Sequence, residues 1–92
     1  MIYYKIIGYG ACQWCQKANS LMESLRLPFI ACWIENSPEL LDWYKTTYSM
    51  ETVPVVLRID TESDVIDIIG GFTEFEKYVE EGLHQESNKE TY

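Results

Sequence analysis

Two cysteines separated by two residues, Cys12-Gln13-Trp14-Cys15, follow a short apolar run and precede a helical pattern. That placement points to thiol-disulfide exchange. At the first turn of a helix, unpaired backbone N–H groups and the helix dipole favour the ionised thiol, and the thiolate is the nucleophile. At about 100° per residue, Cys15 falls at the edge of the helix's buried stripe and Cys12 projects away from it. The expected division of labour is an exposed, attacking Cys12 and a sheltered Cys15. The same arithmetic turns Trp14 toward the stripe, yet a ring at a helix start can equally overhang the protein's edge, so periodicity leaves both positions open. Cys32 lies within a predicted strand and reads as a small buried hydrophobe. Three cysteines is an odd number, which suits one catalytic pair in a reducing compartment better than a disulfide-stapled scaffold.

The elements that must position the pair follow from hydrophobic periodicity. Ile2 to Ile7 is apolar or aromatic apart from Lys5 and reads as a central strand covered on both faces; Gly8 and Gly10 punctuate its end. Ala18, Leu21, Met22 and Leu25 recur at helical spacing between Gln13 and Leu25, with Pro28 as a stop. Phe29 to Ile34 reads as a second buried strand. Ser37-Pro38 supplies an N-cap and a first-turn proline for a second helix whose apolar face is Leu40, Leu41, Tyr44 and Tyr48. Val53–Ile59 and Val65–Ile69, rich in β-branched residues, form an antiparallel pair about the polar Asp60–Asp64 loop. Gly70-Gly71 ends the fourth strand. A capping box of Thr73 and Glu76 is expected to open a third helix through Phe75, Tyr78 and Val79, ending near Gly82. Residues 84–92 are polar and aperiodic and read as a disordered tail in which His84 is solvated. The predicted order is β-α-β-α-β-β-α, an α/β, thioredoxin-like layout with a four-stranded mixed sheet and three helices, forming one domain over residues 1–83.

Composition narrows the function. Fifteen acidic against seven basic side chains give a formal charge of −8, which opposes binding to nucleic acid or to an anionic membrane surface. No apolar stretch approaches the roughly 20 residues that cross a bilayer. Met1 leads into Ile2-Tyr3-Tyr4 with no basic n-region and no small-residue cleavage site. A cytoplasmic monomer is expected.

Over about Ile2 to Leu83 the chain resembles a glutaredoxin. Four features match in order: the Cys12/Cys15 pair, Thr52-Val53-Pro54, Gly70-Gly71, and Phe72-Thr73-Glu74 at the opening of the last helix. The resemblance implies a glutathione-dependent oxidoreductase with no tightly bound cofactor and with glutathione as co-substrate. It implies that Cys12 is the nucleophile, that Cys15 resolves the mixed disulfide, and that Pro54 follows a cis peptide bond; the alternative for Pro54 is a trans proline at the start of an edge strand. By the same resemblance, the main chain of Thr52 and Val53 pairs with the cysteinyl part of glutathione. The Phe72 and Thr73 amides receive the γ-glutamyl carboxylate, Glu74 meets its ammonium group, and Trp14 walls the sulfur where many relatives carry tyrosine. Disulfide-bearing proteins are the implied clients, and the family's association points to ribonucleotide reductase among them.

Two departures bear on substrate. Gln13 replaces the usual proline after the first cysteine and restores a backbone N–H. Tyr9 stands where most relatives carry Lys or Arg, a cation that would meet a glutathione carboxylate. Without it, the helix terminus is the main support for the thiolate unless Lys17 or another base such as Lys45 folds back. Weaker glutathione binding, with protein disulfides as the more important substrates, is the expectation. Two rivals remain: a redoxin reduced by thioredoxin reductase, and a dimer sharing an iron-sulfur cluster. A closed zinc site would need Cys12, Cys15, Cys32 and His84 to converge, and no metal site is expected.

Overall fold

The computed structural model describes residues 1–83. The expectations for His84 and for a disordered tail over residues 84–92 lie outside the described residues. Seven elements follow in the predicted order: β1 (Ile2–Gly8), α1 (Gln13–Ser24), β2 (Phe29–Trp33), α2 (Pro38–Thr47), β3 (Val55–Asp60), β4 (Val65–Gly70) and α3 (Phe72–Tyr78). A π-helical turn, Val79–Leu83, follows the last of them. The sheet runs β2-β1-β3-β4, with β1 and β2 parallel and the other two pairs antiparallel. This is the four-stranded mixed sheet of the thioredoxin-like fold.

Strand alternation sends consecutive residues of the central strands to opposite faces, so an unbroken apolar run can serve two cores at once. Tyr4, Ile6 and Val56 pack with Ala18 and Met22 of α1 and Phe75 of α3. On the other face Ile7, Val55 and Leu57 meet Leu41, Tyr44 and Tyr48 of α2. Burying a ring such as Phe75 stabilises by about 1.5–3 kcal/mol, and Phe75 is the single fully enclosed residue of α3. That one ring is therefore the main anchor of a short helix.

Several local expectations are corrected. β2 is an edge strand with no buried residue, and Ile30 is 53% exposed; an apolar run marks a strand but not its place in the sheet. Leu40 turns outward on α2, while Leu41, Tyr44 and Tyr48 keep the predicted inward face. Ser37 and Pro38 start that helix as expected, with Ser37 Oγ accepting from the Leu40 amide at 3.3 Å. The third helix opens two residues earlier than the Thr73/Glu76 pattern suggests. Gly71 is its N-cap, and the Gly71 amide donates to Glu74 Oε1 at 2.7 Å. The preceding Gly70 has φ +127°, a conformation open to glycine, which turns the chain from β4 into α3. No helix among the described residues is long and apolar enough to cross a membrane.

Candidate active site

β1 ends at Gly8 against the start of α1, and the loop between them presents the cysteine pair. The loop is pinned from three directions. The Cys12 amide donates to the Tyr9 carbonyl (3.2 Å), the Gly10 amide to Glu35 Oε1 (2.6 Å), and Gln16 Nε2 to the Gly10 carbonyl (2.8 Å). A charged acceptor makes the Glu35 contact the strongest of these. Gly8 is required for a different reason: a Cβ there would land on Cys15 Sγ and lie 3.1 Å from Cys15 Cβ.

Cys12 is the N-cap of α1, and its Sγ accepts from the Cys15 amide at 3.2 Å. The sulfur thus faces donors able to receive negative charge at a helix start. Both cysteines are free thiols. Cys15 is fully enclosed, and burial, reinforced by the Cys12 side chain, pushes its thiol up to about 12. It therefore stays protonated near neutrality.

The expected exposure of Cys12 needs correction, because only 7% of the residue is accessible. It lies in a cleft of about 540 Å³ bordered by Tyr9, Trp14, Thr52, Val53 and, from α2, Leu41 and Lys45. The helical wheel gave the direction of Cys12 correctly but could not register walls supplied by distant segments. Val53-Pro54 is a cis peptide bond. Trp14, which periodicity left open, is half exposed, tilts against Phe72 with ring centroids 5.7 Å apart, and carries Lys17 Nζ 4.3 Å from its own ring centroid.

A second hollow of about 270 Å³ shares Trp14, Thr52 and Val53 with the cleft and continues over Pro54 and Gly71 to Phe72, Thr73 and Glu74. Cys12, Tyr9, Trp14, Thr52, Val53, Pro54, Phe72, Thr73 and Glu74 each line one or both of these hollows, whereas Cys15 and Lys17 line neither. Glu74 already receives the Gly71 amide on one carboxylate oxygen. Sequence reasoning did not assign Leu41 to the site and named Lys45 only as a base able to fold back toward the thiolate. Their i, i+4 spacing, which aligns two side chains on one helical face, was the available signal. Lys45, 3.3 Å from Asp42, thus brings a cation to the wall of the cleft from α2. Among the described residues, no group of three His, Cys, Asp or Glu side chains is placed to hold a metal ion.

A mixed sheet with a dithiol at the first strand-to-helix junction, opposite a cis proline, defines a thioredoxin-like redox protein. The glutaredoxin family model matches residues 1–63, and the chain belongs to that family. Among solved structures it is similar to glutaredoxin 1 from Francisella tularensis, complexed with cacodylate. That match has 22% identity and a TM-score of 0.69, covering 91% of this chain and 99% of the other. No curated protein matches the chain. The protein is a thiol-disulfide oxidoreductase of the glutaredoxin family.

Proposed function

We propose that the protein is a glutathione-dependent oxidoreductase that reduces disulfides and glutathionylated thiols of cytoplasmic client proteins, ribonucleotide reductase among them, and acts as a monomer. Cys12 thiolate attacks one sulfur of the substrate disulfide, forming a mixed disulfide and expelling the other sulfur as a thiolate. Cys15 then gives up its proton and attacks Cys12 Sγ, releasing the second substrate thiol and leaving the Cys12–Cys15 disulfide. Two glutathione molecules restore the dithiol by way of a glutathionyl-Cys12 species and leave as glutathione disulfide.

The observation that carries this reading is the continuity of the Cys12 cleft with the hollow at the start of α3. Glutathione laid along it would set its cysteinyl backbone against Thr52 and Val53 in the manner of an added strand. Its γ-glutamyl carboxylate would lie at the Phe72 and Thr73 amides, and its ammonium group beside the free oxygen of Glu74. The glycine carboxylate would then extend toward Lys45, the cation that compensates for Tyr9.

The test is a hydroxyethyl disulfide assay coupled to glutathione reductase, run in parallel with thioredoxin reductase. Cys12→Ser is expected to abolish all transfer, whereas Cys15→Ser retains deglutathionylation and loses reduction of protein disulfides. Equal loss in the two variants, or turnover only with thioredoxin reductase, overturns the reading.

A further inference from the structure

A third hollow, of about 240 Å³, adjoins the Cys12 cleft on the side away from α3. It shares Tyr9 and Leu41 with the cleft, and Ile34, Glu35 and Pro38 complete its wall. The three depressions therefore form one track, from Phe72 and Thr73 past Cys12 to the N-terminus of α2. Glutathione seated as proposed above has only its glycine beyond the cysteine, and a glycine brings no side chain to an apolar hollow. A polypeptide that places its own cysteine at Cys12 continues past that point with side chains.

We infer that this third hollow is a client subsite, receiving an aliphatic side chain that follows the reacting cysteine of a polypeptide and favouring a basic residue beside it. The inference rests on the redox reading and adds to it a class of client. The aliphatic preference comes from Tyr9, Ile34, Pro38 and Leu41, which make most of the lining apolar, with Glu35, Asn36 and Ser37 supplying its polar part. The basic preference comes from charge. Glu35 lines the hollow with one oxygen on the Gly10 amide, Glu39 is exposed one residue beyond Pro38, and Glu51 borders the cleft. No Lys or Arg lines the hollow; Lys45 borders only the Cys12 cleft, and the whole chain carries a formal charge of −8. Such a field draws in a cationic segment and repels an acidic one.

The chemistry suits a direct assay. A peptide cysteine held as a mixed disulfide with 5-thio-2-nitrobenzoate is attacked by Cys12 at the peptide sulfur. The coloured thiolate leaves, and Cys15 releases the peptide thiol as the internal disulfide forms. Two peptides differ only after the cysteine, one continuing Gly-Leu-Lys and the other Gly-Ser-Glu, and the glutathione mixed disulfide with the same chromophore serves as reference. With the wild-type protein, kcat/KM for the Leu-Lys peptide is expected to exceed that for the Ser-Glu peptide by about tenfold, the scale of one aliphatic group entering an apolar pocket. Part of that advantage should fade at about 0.5 M salt, where charge is screened within a few ångströms. Pro38→Lys and Pro38→Glu remove the same proline, and neither touches the Cys12 cleft. The lysine variant should lose most of the peptide preference and the glutamate variant keep it, with thermal melts checking that both fold. Equal rates for the two peptides alongside normal reaction of the glutathione reference overturn the subsite while leaving the redox function intact, and this comparison needs no variant. A preference untouched by a folded Pro38→Lys also overturns it. Failure to react with any of the three disulfides instead removes the redox reading beneath it.

Discussion

Gly8→Ala is the smallest change that should damage the site. Gly8 is not in a left-handed conformation, so the alanine cost is steric rather than a matter of backbone freedom. The added methyl would occupy the position of Cys15 Sγ, approach Cys15 Cβ to 3.1 Å, and meet the Trp33 ring at 3.4 Å. Cys15 has no exposed surface, so it can yield only by rotating its sulfur or by moving the start of α1. Overpacking of this kind costs about 1–3 kcal/mol, and each kcal/mol lowers Tm by roughly 4–8 °C in a domain of this size. A fall in Tm of at least about 4 °C by circular dichroism is therefore expected, together with slower closure of the Cys12–Cys15 disulfide measured by rapid-quench alkylation. Gly10→Ala is the control. Its methyl would come 2.9 Å from Glu35 Oε1, the end of an exposed side chain that can shift and still accept from the Gly10 amide, so the cost should stay below about 1.5 kcal/mol, the low end for losing a hydrogen bond to a charged group outright. A Gly8→Ala protein with native Tm and native closure rate, or a Gly10→Ala protein that suffers more, would refute the assignment of Gly8 as the seat of the Cys15 sulfur.

Two further outcomes follow from the same contacts. Burial holds the Cys15 thiol up at about 12, against an ordinary value of 9.0. Its contribution to stability is therefore complete below about pH 9 and is lost as pH rises toward 12. Urea unfolding across that range should show a loss that Cys15→Ala removes, and a flat wild-type profile would contradict the burial argument. Glu74→Ala takes away the acceptor of the Gly71 amide and should cost about 0.5–2 kcal/mol, with Glu74→Gln recovering most of it in a thermal melt; equal loss in both variants would show that the cap is not what Glu74 contributes.

The parts of the molecule that were legible in the sequence are those in which one segment carries its own physical signature. The Ile2–Ile7 run, the Ala18/Met22 stripe, Ser37-Pro38 and the polar turn after Asp60 each announce an element without reference to any other, and each stands where it was expected. The misreadings share a different origin. Thr73/Glu76 and Gly71/Glu74 have the same spacing, but a glycine N-cap has no hydroxyl to recognise, so the pair with a side-chain cap drew the reading although the turn at Gly70 makes Gly71 the start. Ile30 belongs to an apolar run yet is half exposed, because coverage depends on which strand lies at the edge.

The site divides along the same line. The enclosure of Cys15 relative to Cys12 could be read from a helical wheel, since the contrast is set by α1 alone. The depth of Cys12 could not, because its walls come from Thr52-Val53 and from Leu41 and Lys45 of α2. Nor could the clamp on the loop, since Glu35 meets Gly10 only when the end of β2 is brought alongside the end of β1, where Gly8 pairs with Trp33. The parallel pairing that creates this meeting also puts Ile34, Glu35 and Pro38 beside Tyr9. The hollow inferred to select clients is thus a product of strand register: the β1–β2 pairing that steadies the loop carrying Cys12 also forms the surface next to it. Any change that slips this register should therefore disturb cysteine presentation and client preference together, whereas Pro38→Lys should separate them.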